Sequence, residues 1–388
     1  MKIERIEAIL VDLPTIREHR LANQSISVQT LVIVRIGTSE GIEGLGEATT
    51  IGGLSYGEES PEGIKLSIDT YIAPLLKGLD ASQTGAAMAR LDKHIRGNRL
   101  AKSAIETAML DIKGKALGLR VADLFGGART ERLECAWGLA TGDAARDIAE
   151  AEMMLAENRH RIFKIKVGSG EPAADVARVA AVKAAVGGHA SVRIDANQAW
   201  DEVTARTAIE KLQSAGIDLI EQPTVKHDRA ALARLTQRFR IPMMADESVC
   251  TPADAFLLAK ERVADVFALK IAKSGGLSGV AAVAAVAEAA GIGLYGGTML
   301  EGSIGTLASA HIFAALPQPL AFGTELFGPL LLTDDVVQQR PVYSNFAIEL
   351  PTGPGLGVAI DDDKLAHYRR DKTVSRALLT PARKLVVT

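Results

Sequence analysis

Apolar and polar residues alternate along the first part of the chain, from residue 1 to about residue 60. The segments IERIEAILVDL and TLVIVRIGT have a period of two, which is typical of half-buried antiparallel strands. The stretch PTIREHRLANQS lies between them and is polar, so it predicts a loop. Helical patterns such as SAIETAMLDIKGKALG follow. Residues 1–130 therefore predict an α+β domain.

From about Leu133 the pattern changes to short apolar runs separated by Ala-rich helical segments. These runs are CAWGL, FKIKV, VRID, LIE, MMAD, FALKI, IGLYGG and AFGTE. Eight strands that alternate with helices predict a closed parallel barrel of the (β/α)8 kind over residues 131–335. Residues 336–388 are irregular, contain short alternating runs such as NFAIELP, and are predicted to return towards the first domain.

Composition excludes several classes of function. The chain has 388 residues, 47% of them hydrophobic, and a net charge of -3, which gives no electrostatic footprint for nucleic acid. No apolar run reaches the roughly 18 residues that a membrane span needs. The first residues form a charged, period-two pattern unlike a secretory signal. The two cysteines, Cys135 and Cys250, stand alone and indicate a reducing compartment, so we expect a cytoplasmic protein.

Charged residues close four consecutive strand candidates, at Asp195, Glu221, Asp246 and Lys270. The steps between them are 26, 25 and 24 residues, which is about one βα unit each. The active sites of such barrels lie at the carboxyl ends of the strands, so these side chains should converge. A charge that closes an apolar strand is costly unless it is paired or binds a metal ion. A single such residue is compatible with a helix cap or a buried ion pair, but four in register predict a functional site.

Carboxylates without a nearby His or Cys cluster favour a hard cation. Mg²⁺ or Mn²⁺ fits oxygen ligands, and zinc fits them less well. The adjacent polar residues Asn197, Gln198, Gln222 and Glu247 are candidates for supporting the ligands. Glu247 also competes with Asp246 for the ligand role, and the sequence leaves that choice open.

Two lysines lie on the strand that precedes these acids. Side chains alternate along a strand, so Lys164 and Lys166 share one face, while Phe163, Ile165 and Val167 share the other. The apolar set suits the helix layer, which places both lysines in the barrel lumen. Like charges beside a metal ion should lower a lysine pKa, and such a lysine can act as a general base near neutral pH.

Several motifs resemble the muconate lactonizing enzyme subgroup of the enolase superfamily. They are, in order, Lys164-x-Lys166, Asp195-Ala-Asn197, Glu221-Gln222-Pro223, Asp246-Glu247-Ser248 and Lys270. The segments GEATTIGGLSYGEESPEGIK, GLYGGTMLEGSIGTLASAH and FGTELFGPLLLT extend the resemblance from Met1 to about Tyr368. It implies a modified, enolase-like (β/α)8 barrel, an N-terminal α+β capping domain, and a homo-oligomer, an octamer in the family.

The resemblance also implies the chemistry of the site. Asp195, Glu221 and Asp246 would bind Mn²⁺ or Mg²⁺. Lys166 would be the general acid and base, and Lys270 would face it across a small dicarboxylate substrate. The reaction would be the reversible lactonization of cis,cis-muconate to muconolactone through an enolate, a step of aromatic catabolism.

Further roles follow from the same resemblance. Lys164 and Glu325, an acid at the end of the last strand, would complete the charge balance. Ile51 and Tyr56 match apolar positions in a capping loop over the site, and Asn197 would contact the substrate. His19 and Arg20 sit in the first capping loop, where they can meet a substrate carboxylate.

Other functions remain open at this stage. Within the superfamily, a chloromuconate cycloisomerase, an o-succinylbenzoate synthase or a dipeptide epimerase would use the same lysine pair. A Schiff-base aldolase would use a barrel lysine such as Lys270 without a metal ion. A non-catalytic relative should have lost some of these acids or lysines, and this chain keeps them all.

Overall fold

The structure is a computed structural model that describes residues 1–20 and 25–370. Its N-terminal part contains an antiparallel sheet in the order β1–β2–β3. The strands are β1 (Ile3–Arg20), β2 (Ser25–Thr38) and β3 (Glu43–Thr49). The central strand, β2, is buried along most of its length because helices cover one face of the sheet and the barrel covers the other.

The polar stretch after Leu13 is mostly strand, so the prediction of a loop there was wrong. β1 and β2 pair as far as Pro14, and after a register shift they pair again at His19 opposite Ile26. The shift lets the hairpin continue although the hydrophobic alternation is lost, because backbone hydrogen bonds do not depend on side-chain pattern. Residues 21–24 of that stretch and the side chain of Arg20 lie outside the described residues.

Helices pack against this sheet. They are α1 (Pro61–Ser67), α2 (Ala73–Leu76), α3 (Thr84–His94) and α4 (Arg99–Leu117). A Cβ atom at Gly46 of β3 would lie 1.9 Å from the carbonyl oxygen of Ala104 in α4. Glycine at this position therefore permits the close approach of α4 to the sheet.

The second part of the chain forms a parallel sheet whose strands neighbour one another in chain order, from β5 to β11. The strands are β5 (Trp137–Leu139), β6 (Ile162–Lys166), β7 (Ser191–Asp195), β8 (Leu219–Glu221), β9 (Met243–Ala245), β10 (Val266–Leu269) and β11 (Gly293–Gly296). The helices between and after them are α5 (Ala144–Ala156), α6 (Pro172–Val186), α7 (Glu202–Ser214), α8 (Arg229–Arg238), α9 (Pro252–Lys260), α10 (Ile271–Ser274), α11 (Leu277–Ala290) and α12 (Ser303–Ala315).

The barrel closes through a single residue of the predicted eighth strand. Thr324 forms parallel bridges to Gly296 of β11 and to Cys135, just before β5. The prediction of a barrel is confirmed, but AFGTE is not a full strand. Pro319 and Gly323 flank a tight turn there, with Gly323 at φ 78°, and the turn leaves little extended chain to pair.

The remaining elements return to both parts of the molecule. They are β4 (Arg132–Glu134), α13 (Gly328–Leu331), β12 (Tyr343–Ser344), β13 (Ala347–Glu349) and α14 (Asp362–Tyr368). β13 pairs with β4 beside the barrel, and α14 contacts β1. Among the described residues, no helix is both long and apolar enough to cross a membrane.

Glu47 of β3 ties the sheet to the barrel. Its carboxylate accepts hydrogen bonds from the backbone N–H groups of Gly302 (2.7 Å) and Gly305 (2.9 Å) at the start of α12. Burial and the nearby Asp335 carboxylate raise the pKa of Glu47 to about 8. The contact fixes the N-terminal sheet over one side of the barrel mouth.

Candidate active site

The strand-end charges lie together at the carboxyl end of the barrel, as their spacing predicted. Lys166 of β6 pairs with Asp195 of β7, and Asp195 pairs with Glu221 of β8, so these residues stand at one level. Asp246 follows β9 directly and Lys270 follows β10. Every one of these side chains except Lys166 is buried, with at most 8% of its surface exposed.

Lys164 and Lys166 both enter the lumen, while Phe163, Ile165 and Val167 are buried in the apolar core on the other face. The period of two along β6 therefore predicted the direction of each side chain correctly. A five-residue strand can place two ammonium groups in one cavity because side chains two residues apart point the same way.

Lys164 is the counter-charge of a cluster of buried acids. Its Nζ lies 2.5 Å from Glu325, 2.9 Å from Glu221 and 3.3 Å from Asp195. Burial works against its charge, but the carboxylates of Glu221, Glu325 and Asp195 outweigh burial and raise the pKa of Lys164 well above its usual range. The lowered lysine pKa expected beside a metal ion therefore stays a prediction, because these carboxylates would also be the ligands of that ion.

Lys166 lies closer to the open part of the cavity. Its Nζ pairs with Asp195 and donates a hydrogen bond to Oδ1 of Asn197 at 3.0 Å. The backbone N–H of Asn197 donates to Asp195 (2.8 Å), and its side-chain amide donates to Glu247 (3.2 Å). Asn197 therefore positions Lys166 as well as lining the cavity.

Asp246 is held by two lysines, one of which the sequence reasoning missed. Lys270 and Lys273 each place Nζ 2.6 Å from a carboxylate oxygen of Asp246. Although burial opposes its charge, these ammonium groups keep the pKa of Asp246 well below its usual range. The spacing Lys270-x-x-Lys273 on a helical turn is the signal that would have found Lys273. Behind Asp246, the side-chain oxygen of Gln222 accepts a hydrogen bond from its backbone N–H at 2.9 Å.

The donor set suits a divalent metal ion. Asp195, Glu221 and Asp246 offer carboxylate oxygens from the ends of neighbouring strands, which Mg²⁺ and Mn²⁺ prefer. Oε1 of Glu221 and Oε2 of Glu247 are buried and have no hydrogen-bond partner within the part of the chain that the structure describes. Burial and neighbouring carboxylates raise the pKa of Glu221 to about 8 and that of Glu247 to about 7. Added positive charge from a divalent cation would therefore stabilise the ionised form of both acids.

Within residues 1–20 and 25–370, however, no three His, Cys, Asp or Glu side chains stand at the spacing of metal ligands. Lys164, Lys166 and Lys270 are instead ion-paired with the oxygens of these acids. The acids fit a divalent ion by their oxygen ligands and by their place at the ends of neighbouring strands.

The cavity above these charges encloses about 140 Å³. Its floor carries the lysines, and its roof comes from the N-terminal part, including Ile51 and Tyr56. The hydroxyl of Tyr56 lies 3.4 Å from Oδ1 of Asn197, which joins the roof to the barrel. Leu54, which lies between Ile51 and Tyr56 in the sequence, is 64% exposed and lies outside the lining. His19 and Phe327 complete a side wall.

Comparisons with known proteins agree with this geometry. Residues 5–126 match the family model of the mandelate racemase / muconate lactonizing enzyme N-terminal domain, and residues 146–364 match that of the enolase C-terminal domain-like family. Muconate cycloisomerase 1 of Pseudomonas putida is 56% identical over 95% of this chain and 98% of its own length. Chloromuconate cycloisomerase of Cupriavidus necator is 45% identical over 95% of this chain and 100% of its own.

A solved structure is equally similar. Muconate lactonizing enzyme from Pseudomonas fluorescens, complexed with muconolactone, has 57% sequence identity and a TM-score of 0.94. The match covers 95% of this chain and 99% of that one.

Proposed function

The chain belongs to the mandelate racemase / muconate lactonizing enzyme family of the enolase superfamily, and from this premise we propose that it is a muconate cycloisomerase. The observation that carries the proposal is the pairing of Lys164 and Lys166 in one lumen with strand-end carboxylates. The higher identity to muconate cycloisomerases, 56% against 45% for a chloromuconate enzyme, favours the unsubstituted substrate. From the family we also infer a homo-oligomer.

The substrate is a flat dianion with a carboxylate at each end of a conjugated diene. One carboxylate oxygen adds to the nearer carbon of the far double bond and closes a five-membered lactone ring. The electron pair of that double bond moves towards the second carboxylate, which becomes an enolate. Lys166 then gives a proton to the carbon next to that carboxylate, and the dianion becomes the monoanion muconolactone.

Some residues of the site stabilise the negative charge of the enolate, and Lys166 transfers the proton. Lys164 lies among the acids and stabilises the enolate carboxylate. Lys270 stands across the lumen from Lys166 and holds Asp246. A divalent ion, Mn²⁺ or Mg²⁺, held by Asp195, Glu221 and Asp246 would supply further positive charge for the enolate. Ile51 and Tyr56 cover the apolar diene and exclude water.

A Schiff-base aldolase has no support in this site. Such an enzyme needs a neutral lysine amine. Burial favours the neutral form of Lys270, but the carboxylates of Asp246 and Glu221 outweigh burial and raise its pKa. These carboxylates favour the ammonium form of Lys270, and we expect borohydride to trap no substrate on it.

The loss of cis,cis-muconate absorbance tests the proposal. Wild-type protein should consume muconate with added Mn²⁺ or Mg²⁺, should stop when a chelator is added, and should recover when metal is restored. 2-Chloromuconate and an N-acyl amino acid serve as competing substrates. A higher kcat/KM for either of them, or full activity in metal-free protein, would contradict the proposed function.

A further inference from the structure

A buried histidine of the N-terminal sheet enters the wall of the cavity. His19 is 2% exposed and lies on β1, where it pairs with Ile26 of β2. On the barrel side it faces Gly138 of β5, at which an added Cβ would lie 3.4 Å from Cε1 of His19 and 3.2 Å from Phe327. The glycine thus leaves space for both rings. The imidazole stands beside the first barrel strand and lines the same cavity as Lys166.

The imidazole of His19 is buried and incompletely hydrogen-bonded, and its surroundings favour the neutral form. Burial, with the charges of Arg17, Lys166 and Lys164, lowers its pKa to about 3. A neutral imidazole carries one N–H donor and one acceptor nitrogen. Nδ1 is buried, and none of the described residues offers it a hydrogen-bond partner. Leaving such a group unsatisfied costs free energy, which a bound ligand with an oxygen acceptor would recover.

The position of His19 indicates which of the two substrate carboxylates it would contact. The carboxylate that becomes an enolate must lie over Lys164 and the metal-binding acids, at the floor of the lumen. The second carboxylate then lies higher, near the N-terminal sheet. Of the other donors in the cavity lining, Lys226 pairs with Glu58 at 3.4 Å, and its side chain is 38% exposed. Arg99 lies beside Glu59, another acid of the lining. His19 is a buried donor that lines the same cavity as Lys166.

We propose that the His19 imidazole donates a hydrogen bond to the substrate carboxylate that attacks the double bond and closes the lactone ring. This role rests on the proposed function. A neutral donor aligns the carboxylate for attack while leaving it more nucleophilic than a full ion pair would. His19 transfers no proton: the C–O bond forms, the double-bond electrons move to the enolate, and Lys166 supplies the proton to carbon. In the reverse reaction the same hydrogen bond stabilises the departing carboxylate.

Three variants separate hydrogen bonding from packing. His19→Phe keeps a ring of similar shape without a donor, His19→Asn keeps an N–H group near Nδ1, and His19→Gln keeps one near Nε2. A hydrogen bond to a charged group implies a loss of roughly 10- to 100-fold in kcat/KM for muconate in His19→Phe. Either His19→Asn or His19→Gln should recover at least half of that loss on a logarithmic scale, and whichever does identifies the donor nitrogen.

Deuterium exchange distinguishes this role from a general loss of the site. In D₂O, Lys166 exchanges a proton of muconolactone at the carbon next to its free carboxylate, a step that precedes ring opening. His19→Phe should keep the exchange rate within about threefold of wild type while ring opening slows 10- to 100-fold. A merely structural histidine would slow both steps together.

A matched control is His160→Asn. His160 is also buried, stacks on Trp137 with ring centroids 5.2 Å apart, and does not line the cavity. Its loss should lower Tm and leave KM for muconate unchanged. Arg99→Gln tests the competing donor and should leave the ratio of exchange to ring opening unchanged.

Specific outcomes overturn the proposal. His19→Phe with near-normal kcat/KM, equal losses of exchange and ring opening, or no recovery by either amide variant would each contradict the donor role. A changed exchange ratio in Arg99→Gln alone would give the role to Arg99. A wild-type protein that neither consumes muconate nor exchanges muconolactone would instead refute the proposed function, and this role with it.

Discussion

Replacing Lys164 by methionine removes the ammonium group that the buried acids share, while keeping a side chain of similar length. The Nζ atom lies within 3.3 Å of Asp195, Glu221 and Glu325, and each of those carboxylates is at most 2% exposed. The variant therefore leaves buried negative charge without its counter-charge. We expect the metal-free protein to lose stability strongly and the metal-bound protein to lose much less.

The magnitude follows from the burial of the cluster. Removing one partner of a buried ion pair costs about 3–5 kcal/mol. Glu221, whose pKa is already raised to about 8, can take up a proton and limit the loss to this range. A divalent ion adds positive charge among the same carboxylates, so saturating Mn²⁺ should reduce the loss by at least half.

Equilibrium urea unfolding of Lys164→Met and wild type, each with chelator and with Mn²⁺, measures both quantities. Lys226→Met is the matched control, because this lysine of the cavity rim has a 38% exposed side chain and pairs with the 85% exposed side chain of Glu58. An exposed pair contributes about 0–1 kcal/mol, so the control should change little in either condition. A loss below about 1 kcal/mol for Lys164→Met, or equal losses with and without Mn²⁺, would refute the reasoning.

Other perturbations test separate parts of the site. Lys166→Ala should lower kcat by roughly 10²- to 10⁴-fold while calorimetry finds nearly unchanged Mn²⁺ affinity, and near-normal turnover would remove its acid–base role. Asp195→Asn should weaken Mn²⁺ binding in the same calorimeter, because an amide is a poorer ligand for a hard cation, and unchanged affinity would exclude it as a ligand. Ile51→Val enlarges the roof and should shift the kcat/KM ratio towards chloromuconate by no more than about 1–3 kcal/mol, whereas a constant ratio would remove Ile51 from the specificity pocket. Glu47 favours its protonated form in the folded state, so it contributes stability at acidic pH that is lost as pH rises towards about 8. Glu47→Gln should flatten the fall in Tm between pH 5 and pH 8.5, and an unchanged slope would show that Glu47 titrates normally.

The sequence predicted the positions of the strand-end charges because two regular patterns determine them. Alternation along β6 directs Lys164 and Lys166 inwards, and the repeat of about 25 residues brings Asp195, Glu221 and Asp246 to the same end of the barrel. Such patterns follow from backbone geometry alone, so they can be identified in a single amino-acid sequence.

What the sequence did not predict depends on contacts between distant residues. The high pKa of Lys164 comes from acids on other strands, including Glu325, which follows it by 161 residues. The strand from Pro14 to Arg20 is held by pairing with β2 and not by its own polar residues. Thr324 closes the barrel through isolated β-bridges. Such single-residue pairing cannot be predicted from a hydrophobic run.

Solvent deuterium is the most direct test of the central claim, that the barrel lysines and acids form a metal-assisted site for proton transfer to carbon. With cis,cis-muconate and Mn²⁺ in D₂O, wild-type protein should form muconolactone that carries one deuterium at the carbon next to the free carboxylate. Lys166→Ala should neither form this product at a comparable rate nor exchange added muconolactone, although it still binds Mn²⁺. Product without deuterium at that carbon, or full exchange by Lys166→Ala, would contradict the account.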